Sequence, residues 1–291
     1  MTEYVIPAGV QEAIACLEMY RGEAQVLAGG TDVLPDMRDG KKTPRCLVDI
    51  TRIPELSKIE ISAEYIQVGA AVTFARIKDE PFFKRHVHAL ADAAGSVGAI
   101  GIQNAATWVG NIVQAMPAAD GAVVALALEA ELCIIDRGGA RWEPVERTFA
   151  GPGQSTIDPT RQLITHLRFS FTSTSTGTAW RRIGRRPSLV LPILNCAVKL
   201  RLNADCTRIE RAVVALGPVA PTPFRARQAE AWLVGKAPTS EVFAQAAGLT
   251  QTESNPRSSV MRASREYRLE LIPTLVGEAL DNAARRAMGQ V

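Results

Sequence analysis

Two short stretches carry the residue types best suited to chemistry. In Leu27-Ala28-Gly29-Gly30-Thr31-Asp32 an apolar run ends in two glycines, followed by a hydroxyl and a carboxylate. Without a Cβ, such glycines let successive backbone N–H groups converge on a ligand and form a concavity for an anion such as phosphate. The spacing is neither GxGxxG nor GxxxxGK[ST], which excludes the ordinary dinucleotide fingerprint and the P-loop. A double glycine also serves as a plain turn. The second stretch is Asn104-Ala105-Ala106-Thr107-Trp108-Val109-Gly110-Asn111, continuing through Ile112 to Asp120. A threonine hydroxyl, a glycine amide and an asparagine carboxamide there could bind a diphosphate and hydroxyls. The other reading makes Asn111 the close of a turn and Asp120 an acid favoured by a helix N-terminus.

These stretches need elements to position them. Val10, Ala13, Ile14 and Leu17 fall on one helical face after Pro7, Ala24 to Ala28 reads as a buried strand, and Cys46 to Ile50 as another, which makes the opening a small β-α-β unit. Tyr65 to Ala70 reads as a strand, Thr73 as a helix cap, and Phe82 to Ala94 shows a helical pattern. Gly95 to Gly110 lacks helical periodicity and is expected to be ordered loop or strand. Pro117 is expected in a first helical turn before a buried helix at Val123 to Leu128, then a hairpin from Glu131 to Val145 and a strand at Leu163 to Phe169. The run Thr172 to Gly177 is the most linker-like in the chain. Beyond it come an antiparallel pair, Leu194 to Leu202 and Arg208 to Leu216, and helices at Ala226 to Leu233, Ser240 to Ala247 and Tyr267 to Ala287, the last kinked or started by Pro273.

With 291 residues, of which 47% are hydrophobic, the chain can bury the cores of about two domains. Lys and Arg number 33 against 30 Asp and Glu, so a large basic face for nucleic acid is not expected. Cys16, Cys46, Cys133, Cys196 and Cys206 are scattered singly, which fits neither a metal or iron–sulfur site nor a disulfide framework. That pattern suits a reducing compartment. The opening MTEYVIPAGVQEA does not read as a signal peptide, and Ala122 to Ile135 is too short, with Glu129 and Glu131, to span a bilayer. A cytoplasmic location without a membrane span is expected. His86, His88 and His166 have no metal-ligand spacing and are taken as structural or surface residues. Arg181, Arg182, Arg185 and Arg186 form either a solvated basic turn or a platform for an anionic acceptor or partner.

Taken together, LAGGTDVLP and, about eighty residues on, QNAATWVGNIVQAMPAAD resemble the FAD-binding subunit of molybdenum hydroxylases, the group that includes xanthine dehydrogenase and carbon monoxide dehydrogenase. ALGPVAPTPFRARQAEAWL and PRSSVMRASREYRLEL resemble its C-terminal domain, most nearly that of bacterial xanthine dehydrogenase FAD subunits. The resemblance implies an α+β fold. A two-lobed PCMH-type FAD-binding domain would span 1–172, with lobes at about 1–55 and 56–172, and a CO dehydrogenase flavoprotein-like domain of antiparallel sheet plus helices would span 177–288. By the same resemblance, the backbone of Val26, Leu27, Ala28, Gly29, Gly30, Thr31, Asp32 and Val33 wraps the FAD diphosphate, and Thr107, Gly110 and Asn111 close on it. Asp120 accepts hydrogen bonds from FAD hydroxyls, Val97 lines the cofactor and Leu191 packs on the isoalloxazine. No residue of the chain is expected to bind a metal or act as a nucleophile.

The chain departs from the family's pattern at four positions. Val109 replaces a glycine, Gln103 a common arginine, Met116 a common serine, and Val190 an aspartate that often precedes the ring-packing aliphatic. The resemblance also implies partners: a 2Fe-2S small subunit that relays electrons, a molybdopterin-binding large subunit that hydroxylates the substrate, and NAD or another final acceptor. Two rivals are a self-contained flavin oxidase of the vanillyl-alcohol type and a non-catalytic subunit that has lost its flavin. The oxidase commonly links its flavin to a His or Cys, and none of the three histidines lies in either glycine loop.

Overall fold

The computed structural model describes residues 2–172, 174–186 and 188–290. The chain begins with a three-stranded parallel sheet in the order Glu3–Val5, Cys46–Asp49, Ala24–Leu27. Helix Val10–Tyr20 makes the first crossover and buries Ala13, Cys16 and Leu17, the face set by its apolar spacing. The middle strand, Cys46–Asp49, is buried at all four positions, as a strand flanked on both edges should be. The second crossover is a short helix, Val33–Arg38, entered directly from the Gly29-Gly30 turn.

A five-stranded antiparallel sheet follows, in the order Ile59–Ile61, Ile66–Gly69, Leu163–Phe169, Glu131–Asp136, Gly139–Pro144. Six helices between its second and third sequential strands cover it, ending with Asp120–Ala127, which is buried along its whole length. The third sheet is antiparallel, in the order Thr176–Ile183, Leu194–Leu202, Ile209–Gly217, Phe224–Arg225. Both of its faces are covered. Ala197, Val213 and Ala215 point into the core shared with the first two sheets, whereas Cys196, Val198, Val214 and Leu216 face helices Arg227–Leu233, Ser240–Glu253 and Arg265–Ala287.

Several expectations need correction. Gly95 to Gly110 is largely helical, with Ile100–Ala105 and the start of Trp108–Val113 inside it. Each helix has only six residues, too few for a 3.6-residue period to register, and Thr107 starts the second by accepting from the Gly110 amide at 3.1 Å. The Phe82 to Ala94 pattern is two helices, Pro81–His86 and His88–Ser96, broken at Val87. Pro117 lies ahead of the helix that begins at Asp120. Of the linker-like run, Ser173 lies outside the described residues, and Thr176 and Gly177 already belong to a strand. A Cβ on Gly177 would stand 1.9 Å from the carbonyl oxygen of Ala283, so this glycine serves close packing of the last helix against the sheet. Pro273 sits inside that helix, which runs unbroken over Arg265–Ala287.

Candidate functional site

A cavity of about 720 Å³ opens between the turn after strand Ala24–Leu27, the segment joining the two six-residue helices, and residues 153–164. The turn is held by contact. A Cβ on Gly29 would lie 2.1 Å from the Ala105 carbonyl oxygen, so only glycine lets the two loops touch. Gly30 has φ +69°, the left-handed conformation that aims consecutive amides to one side. Among the described residues, the N–H groups of Gly29, Gly30, Thr31, Asp32 and Val33 donate to no protein acceptor. Five adjacent donors without partners beside a cavity form a cradle for an anion.

The opposite wall supplies side chains. Thr107 caps the helix through its oxygen, which leaves its hydroxyl hydrogen free to donate, while the Gly110 amide is already used in that cap. The Asn111 carboxamide turns Oδ1 inward, where it is buried without a hydrogen-bond partner. It sits so close to Gly121 that a Cβ there would be 2.6 Å away. Val109 is buried and lines the cavity beside Gly110. Gln103 is also buried, and its Nε2 donates to the carbonyls of Gly95 and Val97 at 2.9 and 3.0 Å. It thereby fixes the loop that brings Val97 to the cavity wall. Leu191 reaches the cavity from the third sheet with its side chain 56% exposed, an apolar surface offered to a flat ligand.

Twelve of the fourteen residues expected at the site line this cavity, and Leu27 and Asp120 do not. Leu27 is a buried strand residue. Asp120 opens its helix, as anticipated, yet its carboxylate accepts from Asn195 Nδ2 at 2.6 Å and stands 3.5 Å from Arg182 Nε. Burial pushes its carboxyl up to about 6, against the pull of the Arg182 guanidinium and the Asn195 hydrogen bond. The arginine cluster therefore divides. Arg182 is 10% exposed and paired with Asp120, while Arg185 and Arg186 lie at the surface.

The cavity also contains residues that motif reading did not find. Lys42 is the one cation among the described lining residues. It follows strand-free turn residues, and its only sequence signal is its place shortly after the glycine turn and the short helix. The far wall, with Gly153, Ser155, Ile157 and Thr160, comes from a hairpin and loop more than one hundred residues downstream of the turn. That pairing is tertiary, and no local pattern announces it.

The donor set fits a dinucleotide flavin: free amides and one cation for a diphosphate, polar side chains for hydroxyls, and Val97, Ile102 and Leu191 for a flat ring. Comparison with known proteins gives the same class. Residues 1–169 match the family described as the FAD binding domain in molybdopterin dehydrogenase, and the chain belongs to that family. Residues 179–283 match the CO dehydrogenase flavoprotein C-terminal domain. The chain is 30% identical over 270 residues to the xanthine dehydrogenase FAD-binding subunit of Escherichia coli O157:H7, covering 92% of this chain and 91% of that one. It is 28% identical over 284 residues to the carbon monoxide dehydrogenase medium chain of Hydrogenophaga pseudoflava, covering 98% and 97%. A solved structure of carbon monoxide dehydrogenase from that organism superposes with TM-score 0.90 over 98% of both chains at 29% identity. Quinoline 2-oxidoreductase from Pseudomonas putida 86 superposes with TM-score 0.88 at 27% identity, covering 99% and 98%. Among the described residues no helix is long and apolar enough to cross a membrane, and no group of three or more His, Cys, Asp or Glu is placed to hold a metal ion.

Proposed function

We propose that this chain is the FAD-binding medium subunit of a molybdenum hydroxylase, receiving electrons from a 2Fe-2S subunit and delivering them to NAD or another acceptor. The observation that carries the site assignment is the run of five unpartnered amides, Gly29 to Val33, facing a cavity between two loops that touch through glycine. FAD supplies two-electron hydride chemistry joined to one-electron exchange. The protein's part is to bind and orient. The amides of residues 29–33 and the Lys42 ammonium hold the diphosphate, Thr107 donates its hydroxyl hydrogen, and Asn111 orients a polar group of the ligand with the carboxamide nitrogen that its buried Oδ1 leaves free. Val97 and Leu191 flank the ring and exclude water from one side. Asp120 acts on this site through Arg182 and Asn195. The boundary between the flavin domain and the C-terminal domain falls at about residues 172–177. In this reading the substrate is hydroxylated on the large subunit, and the part of this chain is electron transfer through the flavin.

The test is spectroscopic. The purified chain, titrated with FAD, should show flavin absorbance bands, and acid precipitation should release all the flavin to the supernatant. NADH should reduce a dye through the loaded subunit if NAD is the acceptor. Purines, aldehydes and N-heterocycles should bleach the flavin only after the iron–sulfur and molybdenum subunits are added. Bleaching of the isolated chain by such a substrate would favour the self-contained oxidase, and an absence of flavin binding would favour the non-catalytic subunit.

A further inference from the structure

The segment that brings Leu191 to the cavity connects strands Thr176–Ile183 and Leu194–Leu202, and among its described residues the Leu189 carbonyl accepts from the Arg186 guanidinium and Ile193 N–H donates to the Ile183 carbonyl at 2.8 Å. Leu189 N–H donates to the Gly98 carbonyl at 3.2 Å, which ties the segment to the loop that carries Val97. One residue on, the Val190 carbonyl accepts from Arg182 Nη2. Arg182 is fixed in turn. It lies opposite Asn195 in the strand pair, its Nε faces Asp120 Oδ2 at 3.5 Å, and Asn195 Nδ2 bonds both Asp120 Oδ1 at 2.6 Å and the Ala118 carbonyl at 3.2 Å. The guanidinium is nearly buried, and its Nε has no hydrogen-bond partner. Among the described residues, the one hydrogen bond this guanidinium donates goes to the backbone carbonyl adjoining Leu191, while Asp120 is its charge partner. A buried cation that only added stability would surround itself with acceptors, whereas this one is aimed at a loop.

We infer that Arg182, anchored by Asp120 and Asn195, is a positioning residue that sets the height of Leu191 over the flavin end of the cavity. This rests on the reading that FAD occupies the cavity. Arginine suits the task because its planar fork presents separate nitrogens to Asp120 and to Val190, whereas a lysine ammonium is a single point charge on a flexible stem. Asp120 neutralises the guanidinium so that it can stay out of water. The diphosphate cradle shares no side chain with this chain of contacts. The inference therefore separates the two ends of the ligand: Arg182 should matter for the ring and not for the diphosphate.

The experiment compares FAD with ADP, which offers the diphosphate and adenosine without the ring, on the full chain. In Arg182→Met, FAD affinity should fall by about fivefold to tenfold, the size of one lost aliphatic contact on the ring. ADP affinity should stay within about twofold. Quenching of bound-flavin fluorescence by iodide should rise several-fold, since the ring is less covered. Arg182→Lys should recover only part of the loss. Leu191→Ala, which leaves the buried pair intact and should fold normally, should give the same FAD-to-ADP split, and the double variant Arg182→Met/Leu191→Ala should lose little more than either single one. Equal losses for FAD and ADP would reduce Arg182 to a structural role and overturn the inference, as would full additivity in the double variant. Failure of the unaltered chain to bind FAD would instead overturn the reading of the cavity itself, a different and separable result.

Discussion

The cavity and the junction around Asp120 are built from similar groups, glycines that permit close approach and polar atoms in apolar surroundings, but they use them oppositely. At the cavity, Gly29 brings two loops together and five amides remain without protein partners. At the junction, Gly217 brings the third sheet onto the segment before Asp120, where a Cβ would meet the Pro117 carbonyl at 2.3 Å, and Asn195 Nδ2 donates to both Asp120 and the Ala118 carbonyl, although Asn195 Oδ1 and Arg182 Nε stay without a partner. Unspent donors mark a place that awaits a ligand. Matched ones mark a place where two parts of the fold are fastened.

That comparison is first sharpened by stability. Gly217→Ala forces backbone apart in a packed interface, and the melting midpoint in urea should report a loss of about 3 kcal/mol, while any variant protein that remains folded keeps its ADP affinity. The junction also predicts a pH dependence. The Asp120 carboxyl sits at about 6 in the folded chain against an ordinary 3.8, so the unfolded chain ionises first as pH rises. Its contribution is therefore full below pH 4, is lost between about pH 4 and 6, and is level above that, a total of about 3 kcal/mol. The stability–pH curve of Asp120→Asn should lack that segment, so the difference between it and the curve of the unaltered chain should change between about pH 4 and 6. Superimposable curves would mean that Arg182 compensates the carboxylate fully.

At the cavity the expected effects appear in affinity. Gly29→Ala must separate the turn from Ala105, which should weaken FAD and ADP alike by at least about 100-fold. Gly30→Ala meets only the flexible Leu34 and Leu27 side chains, at 3.1 and 3.4 Å. Its cost is mainly the left-handed backbone, about 1 kcal/mol, or roughly fivefold in affinity. Equal effects for the two glycines in equilibrium dialysis would show that the loop contact at Gly29 is not what shapes the cradle.

How much of this was legible in the sequence follows the same division. The helix Val10–Tyr20, the flanking strands and the antiparallel pair Leu194–Leu202 and Ile209–Gly217 have long enough periodic patterns to be read directly. The short helices around Thr107 do not, since six residues cannot establish a period and the cap of the second is visible only once Thr107 is seen to accept from the Gly110 amide, the first having no side-chain cap. The glycine turn was readable because its chemistry is local. The Asp120–Arg182 pair was not, because its partners are brought together across two sheets and each residue alone had an ordinary explanation, a helix-end acid and a basic turn. Gly177 misled for a related reason: its neighbours are small and polar like a linker, and its packing against Ala283 has no sequence signal.

The smallest expected effect tests where the cradle ends. Lys42 lines the cavity but also stands 3.9 Å from Asp36 Oδ2 in a partly exposed pair, and such surface pairs contribute little. If its ammonium adds to the amides of residues 29–33, it acts on the diphosphate through solvent, and the contribution shrinks as salt shortens the screening length to about 10 Å at 0.1 M and below. Lys42→Ala should then lower ADP and FAD affinity by about threefold at low salt, with no difference from the unaltered chain at high salt. The equality of FAD and ADP matters, because it assigns Lys42 to the diphosphate end and keeps it distinct from Arg182, whose loss separates the two ligands. An unchanged affinity at low salt would assign the Lys42 charge to Asp36 and leave the unpartnered amides as the whole of the cradle.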